Sequence, residues 1–164
     1  MNGPAAPATL VMVRSFDAPV EDVYRLWTDS ALVGRWWGIK GSTIPRCELD
    51  VRVGGKWRID MQAPNGKIYP NAGEYLEVVP NERLVYTDVP DPTIAEWRGE
   101  PPQPRRNVVR FVQQDGRTVV TLEIHFATAA DRERMLALGM QHGLGQALDR
   151  LEALIASVER VPPP

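Results

Sequence analysis

The chain has 164 residues, 43% hydrophobic and 24% charged, with a formal net charge of −2. A chain of this length can bury roughly 70% of its unfolded surface, enough for one domain with a real core. The balanced charge, without a basic run, speaks against nucleic acid or an anionic membrane surface as partner, and no apolar run approaches the ~18 residues of a membrane span. One cysteine, Cys47, excludes an internal disulfide and any multi-cysteine metal site. The first residues lack the charged and apolar parts of a signal peptide. The expectation is a soluble, cytoplasmic protein.

In chain order, 1–8 is rich in Ala and Pro and reads as a frayed tail. Residues 9–16 alternate, with Leu10, Met12 and Phe16 on one side, and form a first strand. Pro19, Glu21 and Asp22 then open a helix, because proline suits a first turn and acids suit the positive end of the dipole. Thr28-Asp29-Ser30 breaks it, and a second short helix over 31–37 ends in Trp36-Trp37-Gly38. From Ile44 the apolar period becomes two, predicting strands at 44–53, 56–62, 72–79, 83–89, 107–114 and 117–127. Gly54-Gly55, Asn65-Gly66, Pro80-Asn81 and Asp115-Gly116 are the turns between them, and such short turns join antiparallel neighbours into a meander. One connection is long. Residues 90–106 carry five prolines and Trp97, the profile either of a lid or binding loop or of a plain surface excursion.

The last run, 130–158, places Leu136, Met140, Leu144, Ala147, Leu151, Leu154 and Ile155 at steps of mostly three and four. That spacing makes one apolar stripe on a helix of period 3.6, a rod of roughly 43 Å that needs a broad surface to lie on. Gly139 and Gly143 flank the stripe, and each costs ~1 kcal/mol in a helix interior. They predict a bend or a close approach in the N-terminal half of the rod, with 147–158 as the core anchor. A proline tail, 159–164, closes the chain.

Strand, two short helices, six-stranded meander and long helix make an α+β protein with a curved antiparallel sheet around a C-terminal helix (β-α-α-β6-α). This is the helix-grip arrangement, and the chain resembles the START-like, birch-pollen-allergen-like (SRPBCC) superfamily. Within it, the chain is similar to the family related to the C-terminal domain of the activator of the heat-shock protein 90 ATPase. The residues that carry the resemblance are Phe16-Asp17-Ala18-Pro19, Trp36-Trp37, Arg52-Val53-Gly54-Gly55-Lys56-Trp57, Gly73-Glu74-Tyr75-Leu76-Glu77, Thr118-Val119-Val120-Thr121-Leu122 and Gly139-Met140-Gln141-His142-Gly143. The likeness spans 9–158 as a single domain, without the separate N-terminal domain that the eukaryotic co-chaperone carries.

The resemblance implies a cavity between sheet and long helix that holds an apolar or aromatic small molecule. Alternation supplies its candidate lining: Trp57, Ile59 and Met61 on one strand, with Tyr75, Tyr86, Phe111, Leu122 and Phe126 on others. Met140 and Leu144 add the helix, Trp37 is the candidate gate at the mouth, and Trp97 belongs to the long loop. Two other readings stay open. One is a co-chaperone-type interaction module whose partner is a chaperone; the other is a pocket enzyme, a cyclase, isomerase or lyase working by acid–base chemistry. Relatives of this kind often pair, so a homodimer is compatible with the sequence.

Catalytic signals are weak. Asp60 and Glu74 alternate with apolar residues and are expected to face solvent. His125 shares its face with Glu123 and Thr121, and His142 lies roughly 200° around the helix from Met140, so neither serves an internal pocket. Cys47 alternates with Leu49 and reads as a small buried hydrophobe. No nucleophile elbow, P-loop or dinucleotide fingerprint is present. The sequence points to no metal, no cofactor and no catalytic residue.

Overall fold

The computed structural model describes residues 8–159. Seven strands form one antiparallel sheet in the order β1-β7-β6-β5-β4-β3-β2. The strands are β1 (Thr9–Phe16), β2 (Thr43–Leu49), β3 (Lys56–Gln62), β4 (Ile68–Val79), β5 (Arg83–Pro90), β6 (Arg105–Gln114) and β7 (Arg117–His125). The helices are α1 (Val20–Thr28), α2 (Ser30–Trp36), α3 (Ala129–Ala137) and α4 (Met140–Glu159). Strands β2 to β7 run as the meander that the turn residues predict, and β1 closes the sheet beside β7.

Local chemistry sets the boundaries. Pro19 caps α1, its carbonyl accepting from the Asp22 and Val23 amides at 3.1 Å. The Asp29 carboxylate accepts from the Ala31 amide at 3.0 Å and starts α2 one residue earlier than its apolar pattern indicates. Strand β2 stops at Leu49 instead of continuing to 53, and Val53 stands 68% exposed in the turn. Strand β4 begins at Ile68, four residues before its predicted start, and includes Pro70. Proline fits there because β4 pairs with β5 only from Asn71 onward, so at Pro70 it has a neighbour on one side alone. In the β6–β7 turn Asp115 and Gly116 have φ of 53° and 77°, as a type I′ hairpin requires.

The long C-terminal rod is two helices. Helix α3, capped by the Thr128 hydroxyl on the Asp131 amide at 3.0 Å, ends at Gly139, whose φ is +90°. The Gly139 amide donates to the Leu136 carbonyl at 3.0 Å, and its own carbonyl accepts from Gly143 at 2.9 Å as α4 begins. A left-handed glycine ends one helix here and lets the next set off in a new direction. The apolar period passes through this break undisturbed, which is why periodicity alone indicates a continuous rod.

Ala147, Leu148, Leu151, Leu154 and Ile155 of α4 are buried against Leu10, Phe16, Val109, Leu122 and Ile124 of the sheet, with α1 and α2 contributing Val23, Leu26, Trp27 and Trp36. A second, smaller cluster, Val33, Trp57, Ile59 and Tyr75, lies at the β2–β4 side. The expected tails fall outside the described residues except at their inner ends. Ala8, read as part of a frayed tail, is already in place, its carbonyl accepting from the Phe126 amide at 2.8 Å, and Glu159 is the last residue of α4.

Candidate functional site

A cavity of about 760 Å³ lies between the two clusters, bordered by the concave sheet face and by α2, α3 and α4. Its aromatic wall starts from a glycine. Trp57 lies opposite Gly73 across the β3–β4 ladder, and its indole N–H donates to the Thr87 carbonyl at 3.1 Å. A Cβ at Gly73 would come within 1.7 Å of that carbonyl oxygen, so only glycine lets β4 pass there. Tyr86 then meets Trp57 edge-on with ring centroids 5.6 Å apart, and meets Tyr75 at 6.1 Å. Burial pushes the hydroxyls of Tyr75 and Tyr86 above the ordinary tyrosine pKa, so both keep their protons into the alkaline range where a free tyrosine ionises.

Trp37, Trp57, Ile59, Met61, Tyr75, Tyr86, Trp97, Leu122, Met140 and Leu144 all border the cavity. Phe111 and Phe126 do not. Phe111 has the right parity on β6 but lies deeper, packed edge-on to Tyr24 at 5.4 Å and Trp27 at 5.6 Å, where α1 fills the sheet's concavity. Phe126 follows the end of β7 and is a buried core residue. Alternation fixes which face a side chain takes; it does not say how far along the strand the helices leave a gap.

The tryptophan pair divides its labour. Trp36 is 3% exposed, packs on Trp27 with centroids 4.7 Å apart and donates its indole N–H to the Leu26 carbonyl at 2.8 Å. Trp37, half-buried, borders the cavity. The segment after it is held by Arg150 of α4, which donates to the carbonyls of Trp37 and Gly38 at 3.3 Å, to that of Ile39 at 3.0 Å and to the Ser42 hydroxyl at 3.0 Å. A Cβ at Gly143 would stand 3.2 Å from the Ile39 methyl, so the second helix glycine marks where this segment meets α4. Exposed lining residues Pro64, Asn65, Glu96, Leu138 and Gly139 mark where the cavity meets solvent.

The long connection is shorter than its sequence implies, since β5 reaches Pro90 and β6 starts at Arg105. What remains is a wall of the cavity, not an outside excursion: Asp91, Ile94, Glu96 and Trp97 all line it. A 3-10 turn at Ala95–Trp97 is fixed from three sides. The Trp97 indole donates to the Asp91 carbonyl at 2.9 Å, Arg134 of α3 donates to the Trp97 carbonyl at 2.7 Å, and Glu96 accepts from Lys67 and from the Tyr69 hydroxyl, both at 2.9 Å.

Sequence reasoning misses the polar end. Asp88 and Arg105 are register partners on β5 and β6 and form an ion pair at 2.8 Å, with side chains only 12% and 9% exposed. Asn107, 5% exposed, lies two residues along β6 opposite Tyr86. All three border the cavity. Arg105 Nε and Nη1 and Asn107 Oδ1 are buried without a hydrogen-bond partner, a condition that costs about 1–3 kcal/mol per group. The signal in the sequence is parity: Asp88 continues the face of Leu84 and Tyr86, and Arg105 and Asn107 continue that of Val109. Polar residues at apolar-phase positions are the informative exceptions.

Elsewhere the chemistry is unremarkable. Burial pushes the Cys47 thiol up to about 11, far from a nucleophile's range. Asp60 is more covered than expected, 14% exposed beneath Arg58 at 3.0 Å, while Glu74 is exposed. His125 lies beside Glu123 at 3.5 Å on the outer face, and exposed His142 contacts Gln146 at 3.2 Å. Among the described residues no cluster of three or more His, Cys, Asp or Glu could hold a metal, and no helix is long and apolar enough to cross a membrane.

Comparison with known proteins gives the chain its relatives. Its fold matches a crystal structure of a Nitrosomonas europaea protein with TM-score 0.80 and 26% identity, over 94% of this chain and 97% of that one. A Chromobacterium violaceum protein matches with TM-score 0.72 and 28% identity, over 91% and 97%. The AHSA1 protein of Silicibacter pomeroyi shares the fold at TM-score 0.72 and 21% identity, over 91% and 98%. No curated protein sequence matches. The family profile described as "Activator of Hsp90 ATPase homolog 1-like protein" covers residues 17–156. With the sheet and the broken C-terminal helix in place, the chain belongs to the activator of Hsp90 ATPase homolog 1-like family, a helix-grip member of the SRPBCC superfamily.

Proposed function

We propose that this protein is a small-molecule binding domain that encloses an apolar or aromatic ligand between sheet and α4. The observation that carries the reading is the cavity of about 760 Å³, walled by Trp57, Tyr75, Tyr86, Trp97, Met140 and Leu144. That volume is within the usual range for small-ligand sites, and an aromatic wall with few polar groups is their usual composition. Binding suits the side chains better than catalysis does. The buried tyrosines hold their protons, and Asp88 is engaged by Arg105. A thermal-shift screen of aromatic and aliphatic compounds tests the reading: a bound ligand raises the melting temperature in proportion to concentration over its Kd. Native mass spectrometry of the purified protein reports any retained ligand and the subunit count together. No shift across the panel and no retained mass would refute it.

The family's name supports a second reading, an interaction module for a chaperone of the heat-shock protein 90 type. Edge strand β1 offers such a partner an outer face with Val11 and Val13 exposed. The same edge could instead pair two copies in a homodimer. An ATPase assay with the chaperone at saturating protein separates the first case, since a ligand-binding domain leaves the rate unchanged. For either reading we place the protein in the cytoplasm, where a lone thiol such as Cys47 stays reduced.

A further inference from the structure

Resting on the cavity being a ligand site, we propose that the Tyr86 hydroxyl is its recognition group and that the ligand is an uncharged aromatic molecule presenting a carbonyl to it. Tyr86 occupies the middle of the fold. Strand β5 is the fourth of seven, and Tyr86 shares its concave face with buried Leu84 and Asp88. A side chain so placed reaches solvent only through the cavity, yet Tyr86 is no more than half-buried and borders that cavity. The surface it keeps therefore opens into it. Among the described residues the Tyr86 hydroxyl has no hydrogen-bond partner, and it is not sealed in as Arg105 Nε and Nη1 and Asn107 Oδ1 are. An interior hydroxyl that is both unpartnered and within reach is the exception among polar groups of a protein interior, and a ligand acceptor would satisfy it.

The aromatic neighbours fix that hydroxyl in place. Trp57 and Tyr75 pack edge-on against the Tyr86 ring, at interplanar angles of 82° and 67°, so the ring cannot swing without unpacking both. A donor held still before the ligand arrives loses little freedom on binding. A phenol donates more strongly than it accepts, because its ring draws on the oxygen lone pair, so its natural partner is an acceptor. Charge decides which acceptor. Arg105 is the one cation among the described residues that line the cavity, against Asp88, Asp91 and Glu96, and Asp88 already engages it at 2.8 Å. A ligand carboxylate or phenolate would enter a surround of like charge with no free counter-charge. Burial, which raises the Tyr86 pKa, penalises any other anion there in the same way. A ketone, ester or amide carbonyl brings no charge with it, and the wall that includes Trp57, Tyr75, Met140 and Leu144 takes the rest of the ligand.

The test uses three planar probes of one shape: 2-acetylnaphthalene, 2-isopropenylnaphthalene, in which a methylene replaces the carbonyl oxygen, and 2-naphthoate. Each is titrated by calorimetry into the full chain, into Tyr86→Phe, which keeps the ring packed on Trp57 and Tyr75, and into Tyr24→Phe, which removes a hydroxyl outside the cavity lining. The ketone-to-alkene affinity ratio is expected to fall about tenfold in Tyr86→Phe, the worth of one hydrogen bond lost from a buried carbonyl, and to hold in Tyr24→Phe. The naphthoate should bind the wild-type chain at least about tenfold more weakly than the ketone. The infrared carbonyl stretch of bound 2-acetylnaphthalene should lie lower in the wild type than in Tyr86→Phe, a shift that a purely structural effect of the substitution would not give. Because the hydroxyl has no partner in the protein, Tyr86→Phe should also melt no lower than the wild type. An unchanged ratio and stretch in Tyr86→Phe, an equal fall in Tyr24→Phe, or a naphthoate that binds as tightly as the ketone would overturn the inference and leave the cavity reading standing. Failure of every probe to bind the wild-type chain would bring down the cavity reading and the inference together.

Discussion

A Cβ added at Gly73 would lie 1.7 Å from the Thr87 carbonyl oxygen and 2.6 Å from the Trp57 indole nitrogen. Neither atom can give way without breaking the sheet or the indole hydrogen bond. Gly73→Ala should therefore cost about 3 kcal/mol, at the upper end for overpacking, measured as a drop in urea midpoint followed by tryptophan fluorescence. A second residue-scale consequence concerns alkaline pH. Cys47, Tyr75 and Tyr86 are ordinarily expected to titrate near 9.0 and 10.0, and burial raises all three in the folded state. The native protein holds protons there that the unfolded chain releases. Their contribution is complete below about pH 9 and is lost as pH climbs through the raised folded values. The melting temperature should stay level up to about pH 9 and then fall, and a Tyr75→Phe/Tyr86→Phe variant should fall less steeply.

At the scale of elements, the joint between α3 and α4 turns on one residue. Gly139 has open space around it, so its requirement comes from the backbone, at φ +90°. Gly139→Ala should lower stability by about 1 kcal/mol, the cost of forcing an L side chain into the left-handed region, and thermal unfolding would show it as a drop of a few degrees. A continuous helix through this point would instead make the alanine stabilising. The two glycines of the old stripe thus do different things. Gly139 turns the chain, while Gly143 lies under Ile39, where Arg150 ties the segment after Trp37 to α4. Both act at the mouth of the cavity, the part of the helix that periodicity described least well.

For the whole molecule, the meander of β2 to β7 was legible in advance because alternation and turn dipeptides report local geometry directly, whereas the pairing of β1 with β7 and the break between α3 and α4 were not. Asp115-Gly116 and Asn65-Gly66 left little freedom in how neighbouring strands pair. Depth along the sheet was not legible. Phe111 and Tyr86 share a face, yet one is packed under α1 and the other borders the cavity, a difference set by where α1, α2 and α4 end. The buried Asp88–Arg105 pair was hidden for a related reason: its partners meet only once β5 and β6 are in register across the long connection.

The division of the interior into two clusters has a further consequence. Strands β2 to β4 lean mainly on the small cluster of Val33, Trp57, Ile59 and Tyr75, and only half-buried side chains such as Trp37, Val51, Val78 and Tyr86 join it to the larger cluster that α4 shares with β1, β6 and β7. Unequal burial gives unequal local stability. In native-state hydrogen exchange the amides of β3 should open at least about 2 kcal/mol more cheaply than those of β7; matching protection in the two strands would count against it. A molecule seated in the cavity would touch both halves at once and act as a mortar between them. Its arrival should be felt first not at the mouth but as slowed exchange in the lightly anchored strands, with unfolding becoming a single cooperative event.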